Sequence, residues 1–265
     1  MSSGTLGAEY TVPPQIAANH SMRDIKLDVH ERKRQLMLYF STDKLCRSRK
    51  NVTEFHRLEF MHIPKTAGTT IEYLGASAGF CWGIFSQHYS HSDDWIPRAR
   101  SSMWHHAPRM GIPPEVDTFC VVRNPFDRVV SFYKEMARKR ALKLDAYLPD
   151  KFQVHDCSAV ALNTLVERAW TVAAAKRDIS IGLFVPQAQY KCNSTLRFEN
   201  IEQDFNELMR RKGMPLRWST STVHNKGYCG SITKRDLSEA STRIVRALYA
   251  ADFAQFNYSL AHLED

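Results

Sequence analysis

The sequence predicts an α/β fold, a parallel β-sheet flanked by helices, from three observations. Short apolar runs alternate with stretches of helical periodicity. One run, Thr118 to Val122, is almost wholly apolar, as in a strand covered on both faces. Helix start signals follow the runs directly, leaving room for short connections only.

The elements follow in order. Residues 1–57 read as a polar tail and a charged helix, and residues 58–265 as one domain. Leu58 to His62 is a short strand. It runs through Ile63-Pro-Lys-Thr-Ala-Gly-Thr-Thr70 into a helix bearing Ile71, Leu74 and Ala78, which Gly79 ends. After the strand Thr118–Val122 and Arg123, Asn124 suits an N-cap and Pro125 the first helical position. Asp127 stands at the capping-box acid position. That helix carries Val129, Phe132, Tyr133 and Met136, and the cluster Arg138-Lys139-Arg140 reads as its solvated face. A third strand spans Thr195 to Phe198, with a helix from about Ile201 to Arg211 and Gly213 after it. Thr233-Lys-Arg-Asp236 forms a capping box that opens a last helix through Leu237, Ile244, Val245 and Leu248. The stretch 138–190 is mostly helical.

The composition is that of a globular chain, with 43% hydrophobic and 24% charged residues among 265. A net charge of +8 favours anionic partners without choosing among them. No apolar run is long enough to span a bilayer, and the first residues lack a secretory pattern. A soluble cytoplasmic protein is therefore expected. The alternative is the Golgi lumen, with an anchor missing from this chain. Four Asn-x-Ser/Thr sequons, at Asn19, Asn51, Asn193 and Asn257, and the six cysteines lean toward that alternative. Without any Cys-x-x-Cys, the cysteines are read as free thiols.

The segment around Lys65 carries the clearest chemistry. A Gly- and Thr-containing loop at a helix start presents backbone N–H groups and hydroxyls, and the helix dipole adds positive potential. Lys65 places a mobile ammonium beside that nest. Its lysine precedes the glycine, unlike a Walker A loop, which disfavours an ordinary P-loop kinase. Taken alone, the segment also reads as a plain turn with a cap. Arg123, at the C-terminal end of a strand, and Ser131, two helical turns on, form a second candidate anion site.

Together these segments resemble the sulfotransferases that use 3′-phosphoadenosine 5′-phosphosulfate (PAPS), in the branch of the carbohydrate sulfotransferases. His62 to Thr70 is similar to the family's 5′-phosphosulfate loop, and Val122 to Tyr133 to its 3′-phosphate segment. Further likeness lies in Pro186–Tyr190, Arg197–Phe205, Leu248–Phe253 and Phe256–Tyr258. The resemblance implies a P-loop-like PAPS-binding core with PAPS as co-substrate and no metal. Lys65, Thr66, Ala67, Gly68, Thr69 and Thr70 would hold the 5′-phosphosulfate, and Arg123 and Ser131 the 3′-phosphate. Lys226, in a basic loop before the last helix, is a further candidate for the 3′-phosphate, and a solvated loop is an equal reading.

Sulfuryl transfer needs an in-line nucleophile and a stabilised leaving phosphate. Lys65 is the candidate stabiliser. Of the 11 histidines, His106 in Trp104-His-His-Ala-Pro108 is the candidate base by resemblance, with His105 next. His88 and His91 with these two lack metal-ligand spacing. Glu72 is a fallback base, expected to be structural or solvent-facing. The acceptor is a hydroxyl of a carbohydrate or of a small hydroxylated metabolite. Nucleic acid is not an expected partner. A nucleotide-dependent kinase and a non-catalytic nucleotide or polyanion binder remain the alternatives.

Overall fold

The computed structural model describes residues 58–82, 116–141, 154, 156–176, 184–218 and 228–261. Three parallel strands form the sheet in the order β1 (Leu58–Met61), β2 (Asp117–Val122), β3 (Ser194–Arg197). Met61 is level with Cys120, and Val122 with Arg197. Helix α1 (Gly68–Ser77) follows β1, α2 (Pro125–Ala141) and α3 (Ala159–Lys176) follow β2, and α4 (Ile201–Arg211), α5 (Glu239–Leu248) and α6 (Ala250–Phe256) follow β3. The predicted α/β class is thus the observed one. The third strand ends one residue early, because Phe198 begins a 3₁₀ turn, Phe198–Asn200.

Alternation along the strands splits the core into two layers. Leu58, Phe60, Phe119 and Val121 pack on one face with Ile71 of α1 and Phe205, Leu208 and Met209 of α4. Met61, Cys120 and Val122 pack on the other with Phe126, Val129 and Tyr133 of α2, Leu162 and Trp170 of α3, Val245 of α5 and Phe253 of α6. Both faces being covered explains why β2 is nearly all apolar. Parallel pairing leaves the C-terminal ends of β1 and β2 side by side, which brings the two candidate anion segments together.

The helix ends follow the sequence signals, with two differences. Gly79 and Gly213 hold φ of 93° and 65°, and each closes its helix with paired backbone bonds. Asn124 Oδ1 accepts from Phe126 N–H at 2.9 Å, as an N-cap should. The reciprocal carboxylate is not Asp127, however. Glu199 Oε1 accepts from Asn124 N–H at 2.7 Å. The Thr233–Asp236 capping box is present but opens a 3₁₀ turn, Lys234–Asp236; α5 starts later, with Ser238 Oγ accepting from Ser241 N–H.

The cysteines correct the free-thiol expectation. Cys120 is bonded to Cys192 and Cys157 to Cys229, with Cα atoms 6.0 and 5.2 Å apart. Cys81 is also disulfide-bonded. The first bridge ties β2 to the entry of β3, and the second ties the start of α3 to the segment before α5. Among the described residues, no helix is long and apolar enough to cross a membrane.

Candidate functional site

The loop between β1 and α1 has an unusual backbone. Lys65 and Ala67 are both left-handed, with φ of 68° and 71°, although neither is glycine. Such residues are strained by about 1–3 kcal/mol each and concentrate at ligand clamps. Left-handed residues at alternate positions turn successive N–H groups toward one point, which makes an anion nest. Ala67 leads into α1 without a side-chain cap, so the first N–H groups of that helix are left for a ligand.

Three contacts brace the loop from below. Thr66 is buried and its Oγ1 donates to Ile63 O at 2.9 Å. The hydroxyl proton of Thr66 therefore serves the loop. His62 lies under Gly68: a Cβ on Gly68 would fall 2.0 Å from His62 Nε2. His62 Nδ1 in turn meets Glu72 Oε1 at 2.9 Å, with both side chains buried. Burial, then the nearby Lys65, lowers the His62 pKa to about 3, so the ring is neutral. Glu72 is structural, as expected, but buried rather than solvent-facing.

Lys65 sits half-buried in a field of like charge. Burial lowers its pKa, Glu135 opposes that shift, and Arg123, Lys139 and Arg138 add to it. Burial would raise the Glu135 pKa, yet Lys65, Arg138 and Lys139 outweigh it and hold it at about 2. Arg138 grips Glu135 with two bonds, at 2.9 and 2.8 Å. The cluster at 138–140 is half-buried rather than a plain solvated face, and Arg138 and Lys139 both lower the pKa of Lys65.

Arg123 is the second half of the site. Its Nη1 donates to Lys65 O at 3.4 Å, and its guanidinium lies over Phe198, 4.0 Å from the ring centre. Its Nε is buried and has no partner among the described residues. A buried cationic donor left open beside a nest fits an oxyanion ligand. Ser131 lies on α2, half-buried, about 9 Å along the axis from Pro125 at 1.5 Å per residue.

The frame around Arg123 was not read from the sequence. Gln187 Oε1 accepts from Arg123 N–H at 2.9 Å while Gln187 Nε2 donates to Arg123 O at 2.8 Å. Asp252 receives Gln187 Nε2 at 3.2 Å and Ala188 N–H at 2.8 Å. Glu199, besides holding Asn124, accepts from Tyr258 Oη at 3.1 Å. Each of the four further stretches singled out by resemblance thus supplies one member of this frame: Gln187, Glu199, Asp252 and Tyr258. Arg128, fully buried, donates from Nε to Pro64 O at 3.0 Å and from Nη1 to Val185 O at 3.1 Å. The only sequence signal for Arg128 is a cation set between Phe126 and Val129 on an apolar helix face.

His105, His106, Lys226, His88 and His91 lie outside the described residues. Among those described, no cluster of His, Cys, Asp and Glu is suited to a metal ion.

Searches of curated proteins and of solved structures return no match for the chain. A family model described as the sulfotransferase family matches residues 48–259, which include every described element. A strained anion nest at Lys65, an abutting arginine with an open donor and a match over most of the chain agree with one another, and the chain belongs to the sulfotransferase family, enzymes that transfer a sulfuryl group to an acceptor.

Proposed function

We propose that the chain transfers the sulfuryl group of PAPS to a hydroxyl of a carbohydrate or a small hydroxylated metabolite. The observation that carries this reading is the contact of Arg123 with the Lys65 backbone, with Arg123 Nε still open. Two anion cradles so close suit one nucleotide with phosphates at both ends. PAPS, when bound, supplies the activated sulfuryl group.

The residues divide the work as follows. The N–H groups of Thr66 to Thr69 and the Thr69 and Thr70 hydroxyls hold the 5′ end, the Thr70 N–H being taken by Ala67 O at 2.9 Å. Arg123 and Ser131 hold the 3′-phosphate, with Lys226 as a further contact. Burial and neighbouring cations make Lys65 a readier proton donor than a free lysine, and Glu135 opposes that shift. Lys65 thereby neutralises charge on the leaving phosphate. His106 takes the proton of the acceptor hydroxyl, and His105 is the alternative base. The positive charge of Lys65 and Arg123 serves in place of a metal ion.

The compartment enters the same proposal. Structural disulfides form in oxidising compartments and are rare in the cytosol of mesophiles. The bridges Cys120–Cys192 and Cys157–Cys229 favour the lumenal alternative over the cytoplasmic expectation. A lumenal enzyme meets glycans, so the carbohydrate acceptor is the better supported of the two.

Titration calorimetry with adenosine 3′,5′-bisphosphate in a chelator tests the donor, and transfer of labelled sulfate from PAPS to pooled glycans and pooled metabolites tests the reaction. Tight metal-free binding and a labelled product abolished by His106→Ala support the proposal. Preference for ATP with a Mg²⁺ requirement would instead indicate a kinase. Binding without any labelled product would leave a nucleotide binder.

A further inference from the structure

Gln187 and Asp252 are both fully buried. Gln187 pairs with both backbone groups of Arg123, as a neighbouring strand would. That pairing extends the sheet edge by one side chain at the residue where β2 has ended. Asp252 then orders Gln187: it accepts Nε2 with one oxygen and fixes the following residue through Ala188 N–H with the other. An amide side chain can be inserted in two senses, with oxygen and nitrogen exchanged. The carboxylate of Asp252 accepts only, so it selects the sense in which nitrogen points to it and to Arg123 O. Oxygen is thereby committed to Arg123 N–H.

We propose that Gln187 and Asp252 are positioning residues for the 3′-phosphate: by fixing the Arg123 backbone through this oriented amide, they aim its open Nε at that phosphate. The inference rests on the PAPS reading above. It gives α6, remote in sequence from both anion segments, a defined part in nucleotide selectivity. Burial of a carboxylate costs stability, and burial does raise the pKa of Asp252. An aligned Arg123 accounts for keeping that carboxylate.

The test compares adenosine 3′,5′-bisphosphate with adenosine 5′-phosphosulfate, which lacks the 3′-phosphate, by titration calorimetry on the full chain. Gln187→Glu keeps the size and the acceptor for Arg123 N–H but removes both donated bonds and sets two carboxyls together. It should weaken bisphosphate binding by about 10–100-fold, the range for one misaligned charged hydrogen bond. Affinity for the 5′-phosphosulfate should change less than about threefold, well under that range. Adding Asp252→Asn returns a donor between the two side chains and should recover part of the lost affinity. Melting temperatures are recorded for each variant, because a merely structural pair would lower them without changing the ratio of the two affinities. Equal loss for both ligands, no loss for either, or failure of both variants to fold overturns the proposal. Absence of bisphosphate binding by the unaltered chain would instead remove the PAPS reading beneath it.

Discussion

The guanidinium of Arg123 reaches across 3.4 Å to the carbonyl of Lys65, so the residue that follows β2 rests on the loop that follows β1. Adjacent parallel strands make this contact possible, since both loops leave the same sheet edge. In consequence the two residues should fail in different ways. Lys65→Ala should lower the rate of sulfate transfer by ~10²–10³, the usual effect of removing one donor to a developing charge. Arg123→Ala should act chiefly on nucleotide affinity. Steady-state kinetics with labelled PAPS and bisphosphate calorimetry separate the two, and a Lys65→Ala enzyme of normal rate would refute its role.

Gly68 offers a sharper steric test. A methyl at this position would meet the His62 ring at 2.0 to 2.5 Å, and the ring is pinned by Glu72. Gly68→Ala should therefore cost about 1–3 kcal/mol, the usual range for overpacking, and should displace the nest. Denaturant unfolding gives the first quantity and bisphosphate affinity reports the second. Unchanged values in both would mean that the loop does not rest on His62.

Much of this arrangement was legible in the sequence, and the rest was not for identifiable reasons. The strand ends, the loop at Lys65 and the position of Arg123 follow from local signals: apolar runs, caps and glycines. Gln187, Asp252 and Arg128 escape such signals because their partners lie 57 to 65 residues away. Periodicity marks a polar residue on a buried face as an exception but names no partner for it. Glu135 was missed because its importance is electrostatic and depends on how α2 passes the loop. The cysteine pairs were misread for a similar reason: each joins residues 72 apart, and only the fold brings them together.

His62 gives the stability of the protein a definite pH dependence. Its pKa is about 3 when folded against 6.5 for a free histidine, so between these limits the unfolded chain binds the extra proton. Stability must therefore fall as pH drops from about 6.5 toward 3. Glu135, at about 2 against 4.5, adds a further loss in the same sense below pH 4.5. Melting temperature measured from pH 7 to pH 4.5 should decline more steeply for the unaltered chain than for His62→Gln, which has no titrating ring. Equal slopes would show that His62 is not buried in its neutral form.

The disulfides predict a strong response to reductant. Each bridge closes a loop of 72 residues, and the loop-entropy account assigns about 4 kcal/mol to a loop of that length. Replacing Cys157 and Cys229 together by Ala should lower stability by an amount of that order, visible as a fall in melting temperature. Peptide mapping without reduction should recover Cys120 linked to Cys192 and Cys157 linked to Cys229. Quantitative labelling of native protein by a thiol reagent would contradict both bridges and restore the cytoplasmic reading.

Arg128 provides the last test, because it joins the loop after β1 to the segment carrying Gln187. One guanidinium holds Pro64 O and Val185 O while lying 5.5 Å from the centre of the Tyr249 ring. Its charge also opposes the rise that burial imposes on the pKa of Asp252. Arg128→Met keeps much of the volume but orphans two buried carbonyls and removes a cation that offsets Asp252. Removal of one partner from a buried charged set typically costs about 3–5 kcal/mol. Arg128→Lys should recover part of that loss, since an ammonium can reach one carbonyl but cannot fork to both. Adding Asp252→Asn to Arg128→Met should recover another part, by removing the carboxylate left without its cation. If denaturant unfolding showed the double variant to be no more stable than Arg128→Met, the coupling between Arg128 and Asp252 would be excluded, and the cost of Arg128→Met would lie in the two orphaned carbonyls.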